Sequence, residues 1–368
     1  MCGDSRPSRF SQRGGILPAL INVVVLVALG ALPVLAYLNG QIFWLDVATR
    51  LVILAIAAVS LNLVLGFGGL ASFGHAAFIG IGAYAVGIPV YHETYGGFDA
   101  IAGYSGWWHL GLAIGLSALF ALVTGAISLR TRGVHFIMIT MAFSQMMYYT
   151  LVSLQEYGAD DGLSIDLRSE LPLLNLDDPL QLFGLCFVSL LFALLLSWTL
   201  VRSRFGKVLV AARSNEQRLK SLGVETYRYQ LVAYIISGAL CGYAGALMAN
   251  FTIFISPSMV EWSRSGELIF MVVLGGSAYL FGPVVGTAAF ILLEYFLSRF
   301  TVYWHLPFGI LLILVVLFLR GGLSGSLARW FDKSDTDSES GAQTAVNSAS
   351  DANGGGSAVA SDSNERKA

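Results

Sequence analysis

Charge is what this chain has least of. Asp, Glu, Lys and Arg make up 12% of its 368 residues, against 56% hydrophobic, whereas a soluble chain carries about a quarter charged residues. That shortfall excludes an ordinary soluble domain. At about 20 apolar residues per crossing helix, the material suffices for around ten membrane spans. Little is left for a large catalytic domain outside the bilayer. The net charge of −2 argues neither for nucleic acid nor for a polyanionic partner. Cysteine is also scarce: Cys2, Cys186 and Cys241 have no metal-ligand spacing, and two of them lie inside apolar runs. A metal site or a disulfide framework is therefore not expected. Catalytic signatures are missing too. No Walker A pattern occurs, His92-Glu93 lacks the second zincin histidine, and no G-x-S-x-G element is present. An enzyme reading has no residues to stand on.

What is there is a succession of apolar runs, at about residues 16–39, 42–65, 71–90, 108–129, 134–153, 181–201, 229–250, 266–280, 283–300 and 304–320. The first follows Arg6, Arg9 and Arg13 but is too long for a signal-peptide core, so it reads as a retained span. Basic residues alternate between loops. Arg130 and Arg132 separate runs four and five, and Arg202, Arg204, Lys207, Arg213, Arg218, Lys220 and Arg228 separate six and seven. Arg320 follows run ten. The intervening loops are poor in lysine and arginine: residues 154–180 set Glu156, Asp160, Asp161, Asp166, Glu170, Asp177 and Asp178 against Arg168 alone. By the positive-inside rule, ten spans with both termini in the cytoplasm satisfy every loop. The expected fold class is thus an all-α polytopic membrane protein of about ten transmembrane helices. Residues 1–15 form a basic cytoplasmic N-terminus and 16–330 the membrane domain. Residues 331–368, rich in Gly, Ser and Asp, are too polar to bury a core and read as a disordered tail.

Residues 202–228 are too polar to cross a bilayer yet are patterned. On a helix, Val208, Ala211, Ala212, Leu219 and Leu222 share a face, flanked by Lys207, Arg213, Arg218 and Lys220, with Gly206 and Gly223 at the ends. Three readings stand: a docking helix for a cytoplasmic partner, a helix lying in the headgroups, or a basic connector that only sets orientation.

Several stretches carry a resemblance. They are SLNLVLGFGGLASFGHAAFIGIGAY (60–84), ITMAFSQM (139–146), GADDGL (158–163), SGALCGYAGAL (237–247), the long segment 255–294 and LPFGILLILVVLFLRGGLSG (306–325). In this order, from about residue 45 to 327, the chain resembles the permeases of branched-chain amino acid ABC importers. The resemblance implies that residues 202–228 are a short cytoplasmic coupling helix on which two ATPase subunits dock. Arg204, Phe205, Gly206, Ala212, Arg213, Glu216, Leu219 and Gly223 would carry that contact. It also implies a second permease subunit, in a heterodimer with a homodimer as the less favoured alternative, and a periplasmic or extracellular substrate-binding protein. ATP and Mg would be used by the ATPase partners, with no cofactor in this chain. The expected place is a bacterial-type cytoplasmic (inner) membrane, in contact with lipid. Two departures stand out: Ser214 and Glu216 replace the family's usual acidic residue directly after the arginine, and Ala159 stands where a second glycine usually precedes the acidic pair.

Gly66, Gly68, Gly69, Gly74, Gly80, Gly82 and Gly87 crowd into residues 66–87. Such a cluster serves either close helix packing or a broken segment beside a translocation path. Gly238/Gly242 and Gly282/Gly286 are small-xxx-small pairs expected at helix contacts. Intramembrane polar groups are functional candidates, here Asn62, Ser72, His75, Thr140, Gln145 and Glu294. Interhelical hydrogen bonding is the plainer account of Asn62 and Thr140, and capping or packing of His75. Arg50 is expected to snorkel. The reading that gathers these features is a permease subunit moving branched-chain or other hydrophobic amino acids inward by alternating access. A urea or short-amide permease, an ion-coupled secondary transporter relying on Glu294, and a passive channel are the alternatives.

Overall fold

The computed structural model describes residues 16–96, 105–165, 168–169, 175–277, 279–300, 303, 305–318 and 322–323. The basic N-terminus, Arg320 and the polar tail lie outside the described residues. Helices run in the order α1 (Ile16–Leu38), α2 (Ile42–Asn62), α3 (His75–Tyr95), α4 (Gly106–Ser128), α5 (Val134–Ser153), α6 (Pro179–Arg202), α7 (Arg204–Ser214), α8 (Glu216–Ser221), α9 (Thr226–Thr252), α10 (Trp262–Gly275), α11 (Gly282–Ser298) and α12 (His305–Phe318). Each apolar run of the sequence overlaps one of these helices, while α7 and α8 occupy the basic segment. Among the described residues, five helices are long and apolar enough to cross a membrane: α2 with its extension to Phe67, α4, α5, α6 and α9. Two short antiparallel strands, β1 (Leu163–Ser164) and β2 (Phe254–Ile255), pair Leu163 with Ile255. The fold is that of a polytopic membrane protein.

The core forms where α2, α3, α4 and α9 meet. Lipid tails are as apolar as leucine side chains, so close van der Waals packing rather than hydrophobic burial holds such helices together. Glycine permits the approach. The bare Cα of Gly82 faces the Gly242 carbonyl of α9, Gly245 faces the Ile79 carbonyl of α3, and Gly242 also meets Ser117 of α4. Gly238 sits against Ala121 and the Phe78 ring, while Gly282 and Gly286 lie against the α10 backbone at Gly275, Gly276 and Met271. Any side chain at Gly82 or Gly286 would fall on a neighbouring backbone.

The molecule has two chemically distinct ends. One collects the α4–α5 turn with Arg130 and Arg132, together with α7, α8 and the start of α9. The other carries β1, β2 and the acidic α5–α6 connection. There Arg168, the lone basic residue of that connection, is a staple: its guanidinium donates to the Asn250 carbonyl (3.0 Å) and the Leu176 carbonyl (2.8 Å). Ala159 adopts φ 44°, a left-handed conformation that costs a residue with a Cβ roughly 1–2 kcal/mol. The glycine usual at this place in the resembled family would adopt it freely.

Arg50 corrects an expectation. It does not simply snorkel: its Nη2 donates to both carboxylate oxygens of Glu294 on α11, at 3.1 and 3.3 Å. Arg50 lies eight residues into α2 and Glu294 four from the end of α11, so two charges inside apolar helices neutralise each other.

Candidate coupling element and broken helix

Residues 202–228 fold as a corner and two helices. Ser203 ends α6 and caps α7, its Oγ accepting from Gly206 N at 3.4 Å. Gly206 allows the corner, since a Cβ there would strike the Val201 and Leu200 carbonyls. Asn215 then takes an extended conformation (φ −161°, ψ 98°), and its Oδ1 accepts from Arg218 N at 3.0 Å to start α8. One continuous helix with a Val208–Ala211–Ala212–Leu219–Leu222 stripe is therefore corrected to two, because the asparagine side chain competes for backbone donors and caps a new helix. The inward face is Gly206, Leu209 and Ala212, packed with Phe67 and Ala233 among others. Leu222 is 72% exposed. Gly223 closes α8 with φ 79°, a left-handed conformation suited to glycine.

Two contacts tie this element to the rest. Glu216 Oε1 receives Arg132 Nη2 of the α4–α5 turn at 2.7 Å, Lys220 Nζ at 3.1 Å and Thr226 Oγ1 of α9 at 2.9 Å. Partial burial alone would push the Glu216 carboxyl up. The hydrogen bonds from Thr226 and Lys220 and the charges of Arg132 and Lys220 outweigh it and hold the carboxyl below its ordinary value. Arg213 makes the second tie. Its guanidinium donates to the Gly66 carbonyl, and its stem lies over Gly69. Arg204 is exposed, Phe205 stacks obliquely with Tyr229 at 5.7 Å between ring centres, and Leu219 is half-buried.

Gly66 belongs to a π-helical turn, Leu63–Phe67, that ends α2. π-Turns of this kind recur at functional sites. Beyond it the chain is non-helical until His75 starts α3. Within a bilayer such backbone is tolerated only when protein satisfies it, and here side chains of α5, of α10 and of the segment itself do so. Thr140 Oγ1 of α5 accepts from Phe73 N at 3.2 Å, and Ser265 Oγ of α10 accepts from Ala76 N at 2.9 Å. Ser72 Oγ takes Gly74 N at 3.3 Å. Fully buried His75 holds Ser237 of α9 at 2.8 Å through Nε2, while Ser237 donates onward to the Ser60 carbonyl at 2.6 Å. The serine's single proton is thereby used, so the imidazole carries its own proton on Nε2. Asn62 Nδ2 donates to the Tyr279 carbonyl at 3.1 Å.

Asn62, Ser72, His75 and Thr140 are thus all buried around the break between α2 and α3. Gln145 is half-buried on α5, and Glu294 stands apart with Arg50. Ser60, Ser237 and Ser265 complete the network without having been picked out from sequence. A serine in an apolar helix is an everyday occurrence, and nothing in its spacing marks the partner. Leu209 and Asn215 were likewise missed in residues 202–228.

Comparison with known proteins identifies the family. Residues 43–317 match the model of a family described as branched-chain amino acid transport system / permease component. The chain belongs to that family. It is 28% identical over 303 residues to the high-affinity branched-chain amino acid transport system permease protein LivM of Salmonella typhimurium, covering 76% of this chain and 69% of that one. The LivM protein of Escherichia coli matches to the same extent. The autoinducer 2 import system permease protein LsrC of Salmonella paratyphi B is 31% identical over 152 residues, 38% of this chain and 43% of its own. No solved structure matches. This chain is accordingly a multi-pass membrane subunit of a bacterial ABC transporter. It is a permease that performs no catalysis itself, in a family that works with separate ATPase and binding-protein partners.

Proposed function

We propose that this permease carries branched-chain or other hydrophobic amino acids into the cell, as one half of a heterodimeric path that crosses the bilayer ten times per subunit with both termini cytoplasmic. Two ATPases dock on α7 and α8, where Arg204, Leu222 and Gly223 are exposed, and they alone use ATP and Mg. A binding protein delivers substrate at the opposite, acidic end. The observation that carries this reading is the link from Arg213 to the Gly66 carbonyl, which joins the docking element to the broken helix. Closure of the ATPases would move α7 and α8 as a unit. Through Arg213 that motion reaches the π-turn and the segment before α3, giving a two-state element biased from outside the membrane. An ion-coupled carrier relying on Glu294 is disfavoured, because that half-buried carboxylate is already engaged by Arg50.

The test compares detergent-solubilised membranes bearing the intact chain with ones bearing Arg213→Glu and Gly223→Pro, the latter at a φ that proline cannot adopt. An ATPase pair should co-purify with the intact chain and be lost from the variant. Vesicles reconstituted with the recovered complex should take up leucine in preference to urea when supplied with ATP. Failure of any ATPase to co-purify, with uptake following an ion gradient instead, defeats the reading.

A further inference from the structure

We propose that Glu261, Trp262, Arg264 and Glu267 line a water-filled path halfway through the membrane, where they handle the ammonium and carboxylate of a zwitterionic α-amino acid. This deepens the importer reading and rests on it for the direction of transport.

The depth of these residues follows from their neighbours. After β2 the chain turns back between α3 and α5: Ile255 lies against Gly87, but Val260 lies against Gly80. Seven residues of α3 separate those levels, about 10 Å along a helix. The Val260 carbonyl accepts from Ser144 Oγ at 2.7 Å, and Ser144 sits about 15 Å from either end of α5. Ser265 is pinned to Ala76 N near the start of α3. Residues 261–267 therefore sit at mid-height of a helix bundle that spans the bilayer.

At that height three charges stay partly accessible. Arg264 Nη1 and Glu267 Oε2 are 3.1 Å apart, with side chains 49% and 23% exposed. Glu261 is half-buried, and Trp262 is 40% exposed. Ionised side chains at the bilayer centre do not face hydrocarbon; they face the bundle interior or water. The same surface continues onto α5, which buries only Phe136, Thr140, Ser144 and Leu151. A wet path is then the consistent surrounding for it.

The chemistry selects the cargo. Arg264 is the sole cation of α10 and offers a planar fork that suits a carboxylate. Glu261 and Glu267 flank it with an excess of negative charge for an ammonium group. Trp262, whose ring lies 6.5 Å from that of Phe73, supplies an apolar wall beside the charges. A neutral solute such as urea would use neither sign. A zwitterion replaces the internal Arg264–Glu267 pair with two intermolecular ones, so the pair opens and closes without leaving a charge alone.

Accessibility and transport test this separately. In the intact transporter, with Cys2, Cys186 and Cys241 changed to serine, Trp262→Cys and Arg264→Cys should react with a membrane-impermeant charged methanethiosulfonate. Leu292→Cys on the outer face of α11, 52% exposed, should react only with a lipophilic maleimide. Arg264→Gln and Glu267→Gln should each lower ATP-driven leucine uptake at least tenfold, with unchanged recovery of the ATPases, and Arg264→Lys should restore part of it. If Arg264→Cys reacts only with the lipophilic reagent, or Arg264→Gln transports leucine as the parent does, the proposal fails. Efficient uptake of urea but not leucine by the parent chain would overturn the zwitterion. Loss of ATPase recovery from the parent chain strikes the importer reading alone, since labelling at 262 and 264 is read without it.

Discussion

Helices α3 and α5 pack against each other, yet they are built for different tasks. Almost every residue of α3 from His75 to Val90 is buried, whereas α5 buries four side chains. Both are apolar, so hydrophobicity does not separate them. Glycine does. Gly80, Gly82 and Gly87 let α3 lie against backbone and branched side chains on several sides, while α5 has no glycine and carries Met138, Met141, Met146 and Met147. Methionine adapts to changing neighbours. One helix is locked into the bundle, and the other offers a surface that a moving partner or a path can use.

The comparison breaks if glycines of the packed helices tolerate bulk. Gly82→Leu sets a side chain on the Gly242 carbonyl, and overpacking of this kind costs about 3 kcal/mol or more where backbone must shift. Folded protein should vanish from mild-detergent extracts. Gly111→Ala or Gly115→Ala on α4, where nothing lies within 4 Å, should match the parent or gain up to about 1 kcal/mol from helix propensity. Thermal melting of the purified subunits reads both. Equal tolerance at residues 82 and 115 would mean that glycine content does not mark the locked helices.

A second contrast concerns hydroxyls. Ser237→Ala leaves His75 Nε2 unpaired in a dry interior and takes from the Ser60 carbonyl its second donor, a loss of roughly 1–3 kcal/mol. Thr150→Ala on the exposed side of α5 removes only an i→i−4 bond and should change stability by under about 0.5 kcal/mol. Similar melting shifts for the two would sink the distinction.

Much of this architecture was legible in the chain itself. Apolar runs located the helices because a membrane span needs length and apolarity and little else. Glycine clustering pointed to residues 66–87, where the break before His75 and the close packing of Gly82 occur side by side. Long-range polar pairing was not legible. Arg50 and Glu294 lie 244 positions apart, and only the antiparallel placement of α2 and α11 brings them together. The split at Asn215 was hidden for the opposite reason: a single side chain, a fair helix resident by pattern, outweighs the pattern by capping. The charges of 261–267 were missed because they sit at and just before the edge of the eighth apolar run, where Glu261 and Arg264 read as loop, although the fold carries them to mid-height.

The Arg50–Glu294 pair sits at the periphery of the locked bundle, with side chains 37% and 20% exposed. Removing one partner should cost about 1–2 kcal/mol, less than for a fully buried pair because solvent or headgroups reach it. Glu294→Gln alone should lower the melting temperature, and Arg50→Met with Glu294→Met should recover most of the loss. A double variant that is merely the sum of its parts would show that the two charges do not act as a pair.

The smallest effect belongs to the basic end, where Glu216 joins α8 to the α4–α5 turn that leads into the exposed helix. Arg132 and Lys220 are more than half exposed, so screening limits their combined worth to under about 1 kcal/mol. The carboxyl is held below its ordinary 4.5. Its contribution is therefore fully present above that value and is lost as pH falls through the depressed one. Glu216→Gln should melt slightly below the parent by a constant margin from pH 6 to 8, and the margin should close at the acid end of the titration, where the parent carboxyl is itself protonated. A margin that widens on acidification would reverse the sign and dismiss the charges of Arg132 and Lys220 as what holds this corner. High salt should shrink the margin at neutral pH, because both cations stand in solvent. By contrast Ser237→Ala, buried beyond the reach of ions, should be indifferent to salt and to pH, which separates the screened end of the permease from its dry interior in a single set of melts.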